Sequence, residues 1–186
     1  MSLKQRVLFL KDTGRFSDLP DVSDKALEKR MKTWLTPFLT GIVSLNQLKK
    51  IDLEAAFLSL LTWKQQQIIK KMAPTHIKVP SGSKKPLKYS SENAVMDSPV
   101  LEVRLQEMFG LCSTPKIAGL TIPVTLHLLS PAGRPVQVTK DLESFWKNTY
   151  KDVKKDLMGR YPKHFWPDDP LDARPTSRVK PKKQTQ

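Results

Sequence analysis

Apolar residues recur at intervals of three and four from the N-terminus to about Met72, then at intervals of two beyond Pro74. The chain therefore changes from helical to extended patterning near one point. In the first part, Leu27, Met31, Trp34, Leu35 and Phe38 follow Ser23, an N-cap with Asp24 beside it. With Gly41 as a left-handed stop, this spacing predicts one amphipathic helix. Ser44 with Gln47 spells a capping box, with Val43 and Leu48 at the staple positions. Asp52 is placed to cap a helix whose Leu53, Ala56, Phe57, Leu60 and Leu61 form a buried stripe. Thr62 with Gln65 makes a second box before Trp63 to Met72, which Ala73-Pro74 ends. A small bundle of short helices is expected over residues 1–73, with Trp34, Phe38, Phe57 and Trp63 in its core.

Residues 74–172 read as a small α+β domain. Thr75 to Val79, Leu87 to Tyr89, Val100 to Val103, Thr121 to Leu129 and Val136 to Thr139 are strand-like. Pro80-Ser81-Gly82-Ser83, Ser98-Pro99, Ala118-Gly119 and Ser130-Pro131-Ala132-Gly133 punctuate them, so a mostly antiparallel sheet is expected. Arg104 to Leu111 predicts a short helix between strands. Asp141 caps a long helix carrying Leu142, Phe145, Trp146, Tyr150, Val153 and Leu157 on one face, with Gly159 as its stop. This helix is expected to pack on the sheet. From 161 to 171, three prolines forbid helix while Tyr161, Phe165, Trp166 and Leu171 supply surface to bury, so the segment reads as an extended structural strap. Residues 173–186 have little to bury and much charge, and are expected to form a mobile basic tail.

At 186 residues and 39% hydrophobic content, the chain suits one ordinary domain or two small ones. The single Cys112 cannot form an intramolecular disulfide, which points to a reducing compartment and a cytoplasmic location. No apolar run reaches the length of a signal peptide or a membrane span, so no membrane partner is expected.

Charge adds a candidate function. The net charge is +14, and it is concentrated in two acid-free stretches. Between Glu54 and Glu92 stand Lys64, Lys70, Lys71, Lys78, Lys84, Lys85 and Lys88; after Asp172 stand Arg174, Arg178, Lys180, Lys182 and Lys183. Such runs suit a phosphate-rich ligand such as a nucleic acid, although lysine-rich faces also serve solubility. The candidate nucleic-acid contacts are Lys78, Lys84, Lys85, Lys88, Arg174, Arg178, Lys180, Lys182 and Lys183.

Catalytic chemistry is sparse. His76, His127 and His164 are scattered without metal-ligand spacing, and no metal site is expected. Asp168-Asp169 lies between prolines, where a turn or cap role is expected. Gly82-Ser83-Lys84 lacks the two spaced glycines of a phosphate loop.

The same residues, taken in order, resemble a known family. Ala73-Pro74-Thr75-His76 running into Val79-Pro80-Ser81-Gly82-Ser83, then Val103-Arg104-Leu105-Gln106-Glu107-Met108-Phe109-Gly110-Leu111, is similar to the C-terminal region of HrpB-type bacterial DEAH-box ATP-dependent RNA helicases. Leu126-His127-Leu128-Leu129-Ser130-Pro131 and Gly159-Arg160-Tyr161-Pro162-Lys163-His164 with Trp166-Pro167-Asp168-Asp169-Pro170-Leu171 follow the same family. The resemblance implies a noncatalytic accessory module, joined in the family to a motor that holds ATP and Mg. None of the motor motifs occurs here, so no cofactor and no catalytic residue is assigned to this chain, which is expected to be inactive alone. It would be a truncated, separated or split gene product, meeting the motor domains in cis or in trans. The resemblance makes single-stranded RNA the expected ligand of the basic residues; the alternative reading is a purely structural connector or protein-interaction module that does not bind RNA.

Overall fold

The computed structural model describes residues 3–90 and 95–179. The chain divides into two compact units, Met1–Pro74 with Tyr89–Asp97, and Thr75–Lys88 with Ser98–Gln186.

The first unit is helical: α1 (Leu3–Asp12), α2 (Asp24–Lys29), α3 (Met31–Trp34), α4 (Leu45–Leu48), α5 (Leu53–Leu58) and α6 (Trp63–Met72). The caps read from the sequence are formed. Ser23, Ser44 and Asp52 each accept a backbone N–H, and Thr62 with Gln65 closes a reciprocal capping box. The single helix expected after Ser23 is instead broken into α2, α3 and a 3-10 turn at Thr36–Leu39. Arg30 leaves helical geometry at φ −101°, ψ 7°, and Pro37 has no N–H to continue the ladder.

Two residues expected in the core are exposed. Trp63 is 75% and Leu53 59% accessible. Each opens its helix, beyond the end of the buried stripe; Trp63 also lies six residues before the buried Ile69, about 240° around the helix. Trp34 and Phe38 are half-buried. The core is built from Val7, Phe9, Leu10, Leu19, Val22, Ala56, Phe57 and Ile69, with the Tyr89 ring tilted against Phe9 at 5.1 Å. Inside it, Arg6 donates from Nε to the Ala73 carbonyl (2.6 Å) and from Nη2 to that of Ile69 (3.2 Å), closing the C-terminus of α6 with a cation.

The second unit is built on a five-stranded sheet in the order β1 (His76–Lys78), β2 (Lys84–Ser90), β3 (Val95–Arg104), β6 (Thr125–Leu129), β7 (Pro135–Thr139). A separate two-stranded ribbon pairs β4 (Lys116–Ile117) with β5 (Ile122–Pro123). The expected antiparallel pairing holds for β1 with β2 and for β6 with β7, whereas β3 and β6 are parallel. A parallel pair requires a crossover, and the ribbon lies within it. Ser98-Pro99, read as a strand boundary, lies inside β3. The run Thr121 to Leu129 divides at Val124 into β5 and β6.

The helix expected over Arg104 to Leu111 shrinks to a 3-10 turn at Leu105–Glu107. Leu105 to Phe109 are all buried, and a segment surrounded on every side has no solvent face for an amphipathic helix to present. The long C-terminal helix is present as α7 (Leu142–Ser144), a π-helical turn (Phe145–Thr149) and α8 (Tyr150–Arg160), with Asp141 as its cap. The wide turn sets Phe145, Trp146 and Tyr150 together, with ring centroids 5.0 to 6.4 Å apart, and brings Trp146 and Tyr150 within about 6.2 Å of Phe109.

The strap is ordered. Pro170 is buried and accepts from the Gly110 N–H (2.9 Å), the Tyr150 hydroxyl donates to the Pro167 carbonyl (2.8 Å), and Phe165 sits edge-on to Phe109 at 6.3 Å. Burial raises the Tyr150 phenol above its ordinary pKa, with Asp168 and Asp169 pushing the same way. Trp166 is only half-buried; its Nε1 donates to the Tyr161 carbonyl (2.9 Å) within the strap itself.

The tail expected to be mobile from 173 onward is held as far as Val179. Thr176 is buried and its N–H donates to the Gln106 carbonyl (2.9 Å), while the Phe165 N–H donates to Val179 (3.1 Å). Backbone hydrogen bonds, which hydrophobic patterning does not encode, hold this polar segment in place.

Candidate nucleic-acid interface

Alternation along β1 and β2 separates the basic residues by face. Lys78 and Lys84 stand directly opposite each other in the antiparallel register and are exposed, as is Lys88 two positions after Pro86. Lys88 meets Glu102 of β3 at 2.6 Å, which places Glu102 and the exposed Arg104 on this face as well. The parallel register sets half-buried His127 beside Glu102 and half-buried Leu129 beside Arg104. This side of the sheet is an open surface with Lys78, Lys84, Lys88 and Arg104 as its cations. The opposite side buries Leu87, Leu101, Val103, Leu126 and Leu128.

Lys85 belongs to that inner side. Its Nζ lies 2.7 Å from Oε2 of Glu107, whose side chain is wholly buried. The other carboxylate oxygen accepts from the Ser81 hydroxyl at 3.1 Å, and the Ser81 N–H donates to the Glu107 carbonyl at 3.3 Å. The turn between β1 and β2 is thus tied to the 3-10 turn, and Lys85 serves as counter-ion to a buried acid. Gly82, at φ +85°, supplies the left-handed residue that this turn requires.

The neighbouring residue, Gln106, holds the second basic run. Its side-chain amide donates to the Arg178 carbonyl, and its own carbonyl receives the Thr176 N–H. Arg174 and Arg178 are exposed, and Lys180, Lys182 and Lys183 lie outside the described residues. Two basic runs far apart in sequence therefore converge on Gln106 and Glu107.

Arg104 stands outside the two acid-free runs, yet the alternation Leu101-Glu102-Val103-Arg104 places it outward with their exposed lysines. It is also the charge that, after burial, lowers the pKa of His164. The His164 ring lies 6.0 Å from Tyr161 and 6.4 Å from Trp166. Asp168 pairs with Lys154 at 2.5 Å, and this bond holds its carboxyl below the usual range; Asp169 accepts from the Leu171 N–H, the turn role expected of it.

Comparison with known proteins places this architecture in a family. Residues 34–170 match the family of ATP-dependent helicase C-terminal regions, HrpB_C. The chain is 47% identical over 163 residues, 88% of its length, to the ATP-dependent RNA helicase HrpB of Escherichia coli strain K12, of which it spans 20%. The crystal structure of the E. coli DExH-box NTPase HrpB superposes with a TM-score of 0.82 at 42% identity, covering 96% of this chain and 22% of that one. A second, of the Escherichia coli DEAH/RHA helicase HrpB, gives 0.67 at 40% identity over 88% of this chain and 20% of that one. This chain belongs to the HrpB helicase C-terminal family, with an α+β fold in common. It spans about a fifth of the length of these relatives. Among the described residues, no helix is long and apolar enough to cross a membrane.

Proposed function

We propose that this chain is the noncatalytic accessory module of a cytoplasmic ATP-dependent RNA helicase and that it contacts the phosphates of single-stranded RNA through the open face of its sheet. The observation that carries this reading is the grouping of exposed Lys78, Lys84, Lys88 and Arg104 on one face of the sheet. A polyanionic strand laid across this face would meet Lys78, Lys84 and Arg104 in turn, while exposed Arg174 and Arg178 belong to the second basic run. Filter binding with a single-stranded oligonucleotide tests it: affinity must fall with salt, by about 0.7 in log K per unit log salt for each phosphate contact. Absence of binding at low salt would overturn it. ATP and Mg would belong to the motor, in cis or in trans, because this sequence contains no Gly-x-x-x-x-Gly-Lys-Ser/Thr segment. The isolated chain is expected to hydrolyse no ATP.

A bracing role draws support from a separate feature. In the helical unit, Val43 is 88%, Leu45 76% and Trp63 75% accessible. Large apolar side chains left in water suit a further protein surface, and the remaining four-fifths of the relatives' length offers one. Under this reading the motor domains cover these residues, and co-purification with a separately expressed motor tests it.

A further inference from the structure

The five-stranded sheet ends at β1, and among the described residues no strand pairs with its outer edge. In an antiparallel pair only alternate residues direct both backbone groups at the partner. Thr75 accepts from the Leu87 N–H at 2.9 Å and Val79 donates to Ser83 at 3.0 Å, so 75, 77 and 79 face β2. The amides and carbonyls of His76 and Lys78 are turned to the free edge.

Residues of this edge strand and of the 111–120 segment line an open groove of about 770 Å³, with Ile77, Val79, Leu111, Pro115 and Leu120 as its apolar walls. The 111–120 segment is held independently of β1. The Trp146 indole donates to the Leu111 carbonyl (2.8 Å), the Thr114 hydroxyl receives the Leu142 N–H (2.9 Å), and the Pro115 carbonyl receives the Val124 N–H (2.9 Å). At its lip, Ala118, Gly119 and Leu120 are all at positive φ (51°, 75° and 65°), leaving Leu120 76% exposed. Left-handed backbone at the two non-glycine residues Ala118 and Leu120 is costly, and such strain clusters at binding sites. Lys78 and Lys116 are the charged residues of the lining, and no acid is among them.

We infer that this groove accepts an extended acidic segment of a partner protein, which adds a strand to β1. The bare backbone of His76 and Lys78 would supply the ladder, the apolar walls would take alternate side chains, and Lys78 and Lys116 would pair with the acids between them. Single-stranded RNA fits less well: no aromatic side chain lines the groove for a base to stack on, and a sugar-phosphate chain cannot form an amide ladder.

The test is a titration of the full chain with a capped peptide alternating glutamate and valine, read by amide hydrogen exchange and calorimetry. Saturation should slow exchange at His76 and Lys78 by about tenfold or more. Lys116→Glu and Leu120→Asp, both at exposed positions, should each weaken binding by about tenfold without moving the melting temperature. The same peptide N-methylated at alternate amides should fail, since it keeps the charge and loses the ladder. Equal binding by the methylated peptide or by a lysine-valine counterpart would overturn the inference, as would no binding at millimolar peptide. Oligouridylate binding that falls with Leu120→Asp would assign the groove to RNA instead.

Discussion

Lys85 and Glu107 form a 2.7 Å ion pair in which the carboxylate is wholly buried and the ammonium side chain is 27% exposed. Removing one partner of such a pair leaves a buried charge without compensation. Lys85→Ala is therefore expected to destabilise the chain by about 3 kcal/mol, measured by urea unfolding, with little change in the salt dependence of RNA binding. An RNA-binding loss at unchanged stability would instead return Lys85 to the phosphate contacts.

Lys78 and Lys84, opposite each other and without a bound acid in the described structure, should behave in the contrary way. Each alanine substitution should lower the salt slope of oligonucleotide binding by about 0.7 while leaving unfolding unchanged. Lys88 should give less, because Glu102 already neutralises it.

The position of truncation matters. Ending the chain after Val179 removes Lys180, Lys182 and Lys183 and keeps the hydrogen bonds at Thr176 and Arg178, so the fold should persist while RNA affinity falls. Ending it at Ala173 also removes the buried Thr176 and should lower the melting temperature. Equal melting temperatures for the two truncations would show that residues 174–179 contribute nothing to the fold.

The two tryptophans of the second unit differ in burial, and their truncations should differ in cost. Trp146, 6% accessible and bonded to Leu111, should cost about 3–5 kcal/mol on replacement by alanine. The half-buried Trp166 should cost about half of that range, and denaturant midpoints of the two variants compare them directly.

His164 carries a pH dependence with a definite sign. Burial, and then Arg104, lower its folded pKa below the ordinary value of 6.5, so near that pH the unfolded chain binds more protons. Its contribution is present above pH 6.5 and is lost as pH falls through 6.5 toward the folded pKa. Between pH 7.5 and 5.5, His164→Gln should flatten the loss of stability seen in the parent; an identical pH profile for the two would remove His164 as its source.

What the sequence determined by itself is what short-range chemistry encodes. The caps at Ser23, Ser44, Asp52, Thr62 and Asp141 need only a side-chain oxygen and the N–H groups of the next turn, and all five form. Alternation located β1, β2, β6, β7 and the end of β3, proline excluded helix from the strap, and the ordered motifs from Ala73 to Leu171 indicate the family. Tertiary structure decided whatever depends on partners distant in the chain. The parallel pairing of β3 with β6 and the engulfing of Leu105 to Phe109 arise from neighbours that a local window does not contain. So does the fate of the lysines: seven similar side chains in one acid-free run look alike in sequence, yet Lys85 faces a buried carboxylate supplied by Glu107 while Lys78 and Lys84 face water. A charged side chain's environment is set by what folds against it, because Coulomb interaction and desolvation depend on distance in space, not along the chain.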